Sequence, residues 1–157
     1  MKYAIHTFGC RVNQADSFEI EECLRAGGAQ AAPADEADVV VVNTCTVTGA
    51  ADQGARTLIR RIARRNASAR IIVTGCYATR APEALASMPG VARLVANNGK
   101  AQFITDLRGM GDDDGPCGTH IEPGVHGRTA YALRVQTGCE EPCAFCVIPS
   151  TRGPSRS

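Results

Sequence analysis

Apolar and polar positions fall in alternating blocks along this chain, short β-branched runs giving way to longer stretches with helical spacing. Residues 2–8, KYAIHTF, read as a short strand ending at Gly9-Cys10. The segment NQADSFEIEECLRAGG then reads as a helix, with Asn13 as N-cap, Asp16 in the first turn and Gly27-Gly28 as its stop. Within it Ile20, Cys23, Leu24 and Gly27 fall at i, i+3, i+4 and i+7, which puts Cys23 on the buried stripe as a packing residue. Residues 38–42, DVVVV, suit a central parallel strand covered on both faces, and they lead directly into Asn43-Thr44-Cys45. A helix over about 50–66 follows, with Ala55, Leu58, Ile59 and Ile62 on its apolar stripe. Arg56, Arg60, Arg61, Arg64 and Arg65 form its solvent face. RIIVTGC repeats the pattern, a strand from Arg70 to Val73 ending in Thr74-Gly75-Cys76. Pro82 suits the first turn of a further helix that ends by Pro89-Gly90; residues 92–96 read as a fourth strand and 100–107 as a last helix.

Strands alternating with helices in this way predict a parallel, doubly wound, Rossmann-like α/β sheet with right-handed crossovers over residues 1–108. Residues 109–127 are rich in Gly, Pro and Asp, lack any apolar period and read as a linker. It contains Cys117, His120, His126 and the solvated run Asp112-Asp113-Asp114. A new unit starts at residue 128, with TAYALRVQ as a strand and TGCEEPCAFCVIPSTRGPSRS after it. The 157 residues, 44% hydrophobic and 21% charged, are enough for a packed domain and exclude a disordered chain. A formal net charge of +1 supplies no global field toward nucleic acid or membrane, so any such partner must rest on local patches. No apolar run is long enough to span a bilayer and the start lacks a signal-peptide core, which predicts a cytoplasmic protein with no membrane partner.

Eight cysteines in a reducing compartment point to metal ligands or reactive thiols rather than disulfides. Cys10, Cys45 and Cys76 each stand directly after a predicted strand and before a predicted helix. In an open parallel sheet those positions share one edge, where ligands bind. Gly9 and Gly75 would let backbone N–H groups approach a bulky anion, and helix N-termini favour thiolate. Taken singly, a cysteine in such a place is most often a small buried residue; three in the same structural place outline an iron–sulfur or zinc site. Cys139, Cys143 and Cys146 are spaced C-x3-C-x2-C, and no fourth ligand follows at zinc-finger spacing. Three thiolates on a [4Fe–4S] cluster leave one iron open, as S-adenosylmethionine needs for its amino and carboxylate groups. Phe145 is placed to pack against the adenine. A zinc site completed by Cys117, His120 or His126 is the alternative.

TFGCRVNQADS, VVNTCTVTGAADQGAR, VTGCYA and TGCEEPCAFCVIPSTRGPSRS together resemble, in order and spacing, the radical S-adenosylmethionine methylthiotransferases. Within them the chain is most similar to the bacterial branch acting on threonylcarbamoyladenosine in tRNA. The resemblance implies two [4Fe–4S] clusters. Cys10, Cys45 and Cys76 would hold an auxiliary one implicated in sulfur supply; Cys139, Cys143 and Cys146 would hold the radical one. It implies conversion of an adenine C–H beside the anticodon to C–S–CH3, one S-adenosylmethionine giving the methyl group and another the 5′-deoxyadenosyl radical. The partners implied are tRNA carrying threonylcarbamoyladenosine, an electron donor and a sulfur source. The family continues through a (β/α) barrel and an RNA-binding domain, whereas eleven residues follow Cys146. The expectation is therefore an amino-terminal fragment with a truncated radical-SAM barrel over 128–157, not competent for turnover alone. A non-catalytic iron–sulfur module and a zinc-binding module are the competing readings. No acid lies between residues 53 and 70, so the arginine face of the second long helix is a candidate for tRNA phosphates, though such faces are more often simply solvated.

Overall fold

The computed structural model describes residues 1–108 and 134–157. Five parallel strands form one sheet in the order β2-β1-β3-β4-β5: β1 (Lys2–Thr7), β2 (Gln30–Ala31), β3 (Val39–Thr44), β4 (Arg70–Gly75) and β5 (Val91–Val95). The helices are α1 (Arg11–Ala26), α2 (Gly49–Arg65), α3 (Cys76–Arg80), α4 (Pro82–Ala86), α5 (Lys100–Arg108) and α6 (Ile148–Arg152), with a 3-10 turn at Asn97–Gly99. The predicted doubly wound α/β sheet is therefore present. β3 alternates its valines between two cores. Val40 and Val42 pack with Ala55, Leu58, Ile59 and Ile62 of α2 and with Leu85 of α4. Val41 points the other way, among Ile20, Cys23 and Leu24 of α1 and Phe103 and Ile104 of α5. Cys23 is a buried packing residue, as its place on the stripe predicts.

Strand order reverses between β1 and β3, because β2 lies on one side of β1 and all later strands on the other. Crevices beyond the strand ends at such a reversal are where open α/β sheets bind ligands.

Several local expectations are corrected. Cys10, in extended backbone, is the N-cap position of α1, and the helix starts at once. Asn13 consequently lies inside the first turn, and Asp16 falls beyond that turn. Residues 76–90 hold two short helices, with α3 opening at Cys76 itself. The two-residue strand β2 and the helix α6 carry too little pattern to be read in advance. The predicted strand at TAYALRVQ and the linker 109–127, with Cys117, His120 and His126, lie mostly or wholly outside the described residues. At 134–136 the chain is not strand, and Thr137 makes an antiparallel bridge to Arg156. No helix among the described residues is long and apolar enough to cross a membrane.

Candidate metal centre

The register of the three central strands sets the site. Thr7 pairs with Asn43, and Thr44 pairs with Gly75. Continued past the strand ends, this register puts Gly9 beside Cys45 and Cys45 beside Cys76, with Cys10 one residue on. Adjacent strands lie about 4.8 Å apart, so the three cysteines leave the sheet within roughly 10 Å of one another. A Cβ at Gly9 would overlap Cβ and Sγ of Cys45. Gly9 has φ +95°, open to glycine but not to ordinary side chains, so contact and backbone both demand the glycine. Gly75, at φ +98°, is held likewise against the Thr44 carbonyl and Asn43 Oδ1. Cys45 and Cys76 are buried and Cys10 is exposed.

Side chains buried at the strand ends stitch this edge together. Thr44 Oγ1 donates to the Thr74 carbonyl at 2.6 Å, and Thr74 Oγ1 donates to that of Val95 at 2.8 Å. Asn43 Nδ2 donates to the Asn13 carbonyl and to Ser17 Oγ. Asn13 Nδ2 donates to the carbonyls of Phe8 and Thr44, each at 2.8 Å, and so pins the residues just before Gly9-Cys10 and before Cys45. The loop after Cys45 is tied down by Arg80, whose Nε donates to Thr46 Oγ1 and whose guanidinium pairs with Asp52. The stripe Ile20, Cys23, Leu24, extended backward by the helical period, lands on Asn13, Asp16 and Ser17. Polar residues on an otherwise buried face are the signal that sequence reasoning passed over.

Asp16 is fully buried and faces three cations: Lys100 Nζ at 2.7 Å, Arg134, and Arg152 at 3.4 Å. Burial alone would push the Asp16 carboxyl up, but Lys100 foremost, with Arg152 and Arg134, holds it below its ordinary value. Burial pushes the Lys100 ammonium down, against the attraction of Asp16 and with the repulsion of Arg152. Asn97 Nδ2 approaches Cys76 Sγ, at 3.6 Å.

Cys139, Cys143 and Cys146 lie on a tight loop, closed by Cys146 N donating to the Cys143 carbonyl and Cys139 N to that of Gly153. None of the three is buried, and Phe145 is 93% exposed. Among the described residues no three His, Cys, Asp or Glu side chains converge tightly enough to hold a single metal ion. Cys117, His120 and His126, which would complete a zinc site, lie outside the described residues. An iron–sulfur cluster is held by cysteine thiolates, and the donor set of two all-cysteine triads is of that chemistry.

A family model described as Uncharacterized protein family UPF0004 matches residues 2–97, from β1 through the turn that carries Asn97. The chain belongs to that family. The UPF0004 match takes in Cys10, Cys45 and Cys76 and ends before the second triad. The chain is 34% identical over 167 residues to the Threonylcarbamoyladenosine tRNA methylthiotransferase MtaB of Bacillus subtilis (strain 168), covering 98% of this chain and 37% of the relative. The protein of that name in Rickettsia prowazekii (strain Madrid E) is 34% identical over 166 residues, covering 100% and 37%. The tRNA-2-methylthio-N(6)-dimethylallyladenosine synthase of Sorangium cellulosum (strain So ce56) is 33% identical over 179 residues, covering 99% and 36%. The likeness to methylthiotransferases read from the four motifs therefore holds along nearly the whole chain, which spans little more than a third of the length of these curated relatives.

Proposed function

We propose that this chain carries the two cluster-binding edges of a cytoplasmic tRNA methylthiotransferase acting on threonylcarbamoyladenosine beside the anticodon. The observation that carries the reading is the register of the three central strands, which brings Cys10, Cys45 and Cys76 to one sheet edge at the strand-order reversal, with Gly9 packed on Cys45. Relatives named as tRNA methylthiotransferases support the chemistry. In this reading Cys10, Cys45 and Cys76 hold the auxiliary [4Fe–4S] cluster. Cys139, Cys143 and Cys146 hold the second at the start of a radical-SAM barrel over 128–157. When bound, the clusters and S-adenosylmethionine supply the one-electron chemistry and the methyl group that an aromatic C–H requires and no side chain provides.

The chain's own residues have narrower tasks. Gly9 keeps a side chain out of the space beside Cys45, Gly75 lets its strand end sit against the Thr44 carbonyl and Asn43 Oδ1, the Asn97 amide donates toward Cys76 Sγ, and the exposed Phe145 ring is open to stack on a planar base. The tRNA backbone is met by Arg60, Arg61 and Arg64 on the exposed face of α2; Arg56 is spent on Tyr77 and Arg65 on Asp35. An electron donor and a sulfur source complete the partners. A cluster-binding module with no turnover of its own is the second reading, favoured by the share of the relatives that the chain spans.

The test is nucleoside analysis of tRNA from cells making the protein with Cys45→Ala. Loss of the methylthio group from threonylcarbamoyladenosine is expected; an unchanged profile would overturn the assignment.

A further inference from the structure

Two adjacent residues of α6, Thr151 and Arg152, reach back to all three segments that carry the first cysteine triad. The Thr151 carbonyl accepts from Asn97 Nδ2 at 2.8 Å, and the same amino group approaches Cys76 Sγ at 3.6 Å. Arg152 donates to Asn13 Oδ1 at 2.5 Å, and Asn13 in turn holds the carbonyls of Phe8 and Thr44. Thr151 and Arg152 are themselves buried.

Asn97 is the narrowest point of this linkage. Its backbone N–H donates to Thr79 Oγ1 at 2.9 Å, and Thr79 Oγ1 donates to the Gly75 carbonyl at 2.9 Å, so its place beside Cys76 is fixed from both ends. The Thr151 carbonyl dictates that the amino group, not the amide oxygen, faces it. Asn97 Oδ1 is then buried without a donor among the described residues, a situation that costs about 1–3 kcal/mol. A leucine of similar size would avoid that cost, so what the amino group does has to compensate.

We propose that Asn97 is a positioning residue shared by the two cysteine triads, its two N–H groups coupling the Cys76 sulfur to the backbone of the helix that follows Cys146. One N–H moderates the negative charge on a cluster ligand, and hydrogen bonds to sulfur are among the factors that set a cluster's potential. The other holds α6, and with it the second triad, in register with the sheet edge. The groups that the two triads would hold are thereby kept at a fixed separation. The inference rests on the cluster assignment above.

The experiment is a redox titration of the anaerobically reconstituted chain, followed by electron paramagnetic resonance, for wild type, Asn97→Ala, Asn97→Asp and Asn97→Gln. Asn98→Ala, on the same turn but exposed, is the control. Asn97→Ala is expected to keep its iron and lower the potential of the cluster that Cys76→Ala abolishes. Asn97→Asp, of the same shape but with a carboxylate in place of the amide, should lower it further, and Asn97→Gln should return it toward wild type. On the unloaded chain, Asn97→Ala should speed hydrogen exchange at the amides of Gly153 and Arg156, which are bonded in wild type. This arm applies even if a variant fails to load. A potential equal to wild type in both Ala and Asp variants, or unchanged exchange, would overturn the proposal. Absence of any cluster that depends on Cys76 in wild type would instead overturn the cluster assignment.

Discussion

Replacing Gly9 by Ala places a methyl group where Cβ and Sγ of Cys45 already stand, on a backbone that side chains avoid. Gly9→Ala should cost at least about 1–3 kcal/mol by urea unfolding and lower the iron retained, because Cys45 must move. A variant as stable as wild type, with full iron, would contradict the packing described. Asp16→Asn removes the buried anion that Lys100, Arg134 and Arg152 share and should cost about 3–5 kcal/mol by the same assay. The pH dependence follows in sign. The Asp16 carboxyl is held below its ordinary 3.8, so the unfolded chain binds the proton more tightly. Its stabilising contribution is full above that value and is lost as pH falls through it. His6 is also shifted down from 6.5, by burial and then by Arg61, and its contribution is lost as pH falls below 6.5. His6→Gln should flatten the stability profile just below pH 6.5; an unchanged slope there would contradict the assignment. These residues divide sharply in how readable they were. The cysteines declared themselves by position after each strand, whereas Asn13, Asn97 and Lys100 act through partners 31, 54 and 84 residues away, a separation that no local period encodes.

At the scale of elements, periodicity was a sound guide wherever a segment buried a full face. β1, β3, β4, β5, α1, α2 and α5 all appear within a few residues of where spacing put them. It failed where tertiary contacts, not pattern, make the element. β2 is two residues completing the sheet edge, α3 is a single turn begun by Cys76, and α6 is a turn docked against α3. Asn13 illustrates the same point: it reads as a cap, yet the helix starts earlier and its side-chain amide is bonded to the carbonyls of Phe8 and Thr44. The α2 face has a directional consequence. Its axis runs away from the cysteine edge, so Arg60 to Arg64 lie roughly 16–23 Å along the helix from its start. They would grip tRNA backbone remote from the reacting base. Arg60→Gln, Arg61→Gln and Arg64→Gln together should weaken tRNA binding and reduce its salt slope by about 3, with the iron content unchanged. Equal binding and slope would show that the face is only solvated.

For the whole molecule, one fold arranges two triads of cysteine: the first at a sheet edge where strand order reverses, the second on a loop locked to that edge through Asp16, Asn13 and Asn97. The most direct measurement is iron and acid-labile sulfide, with an optical spectrum, after anaerobic reconstitution of the 157-residue chain, its Cys45→Ala variant and its Cys23→Ala variant. Wild type should take up iron for two [4Fe–4S] clusters, Cys45→Ala should lose about half, and Cys23→Ala should keep all of it while losing some stability from the core. Iron lost equally from Cys23→Ala, or zinc bound in place of iron by wild type, would contradict the account.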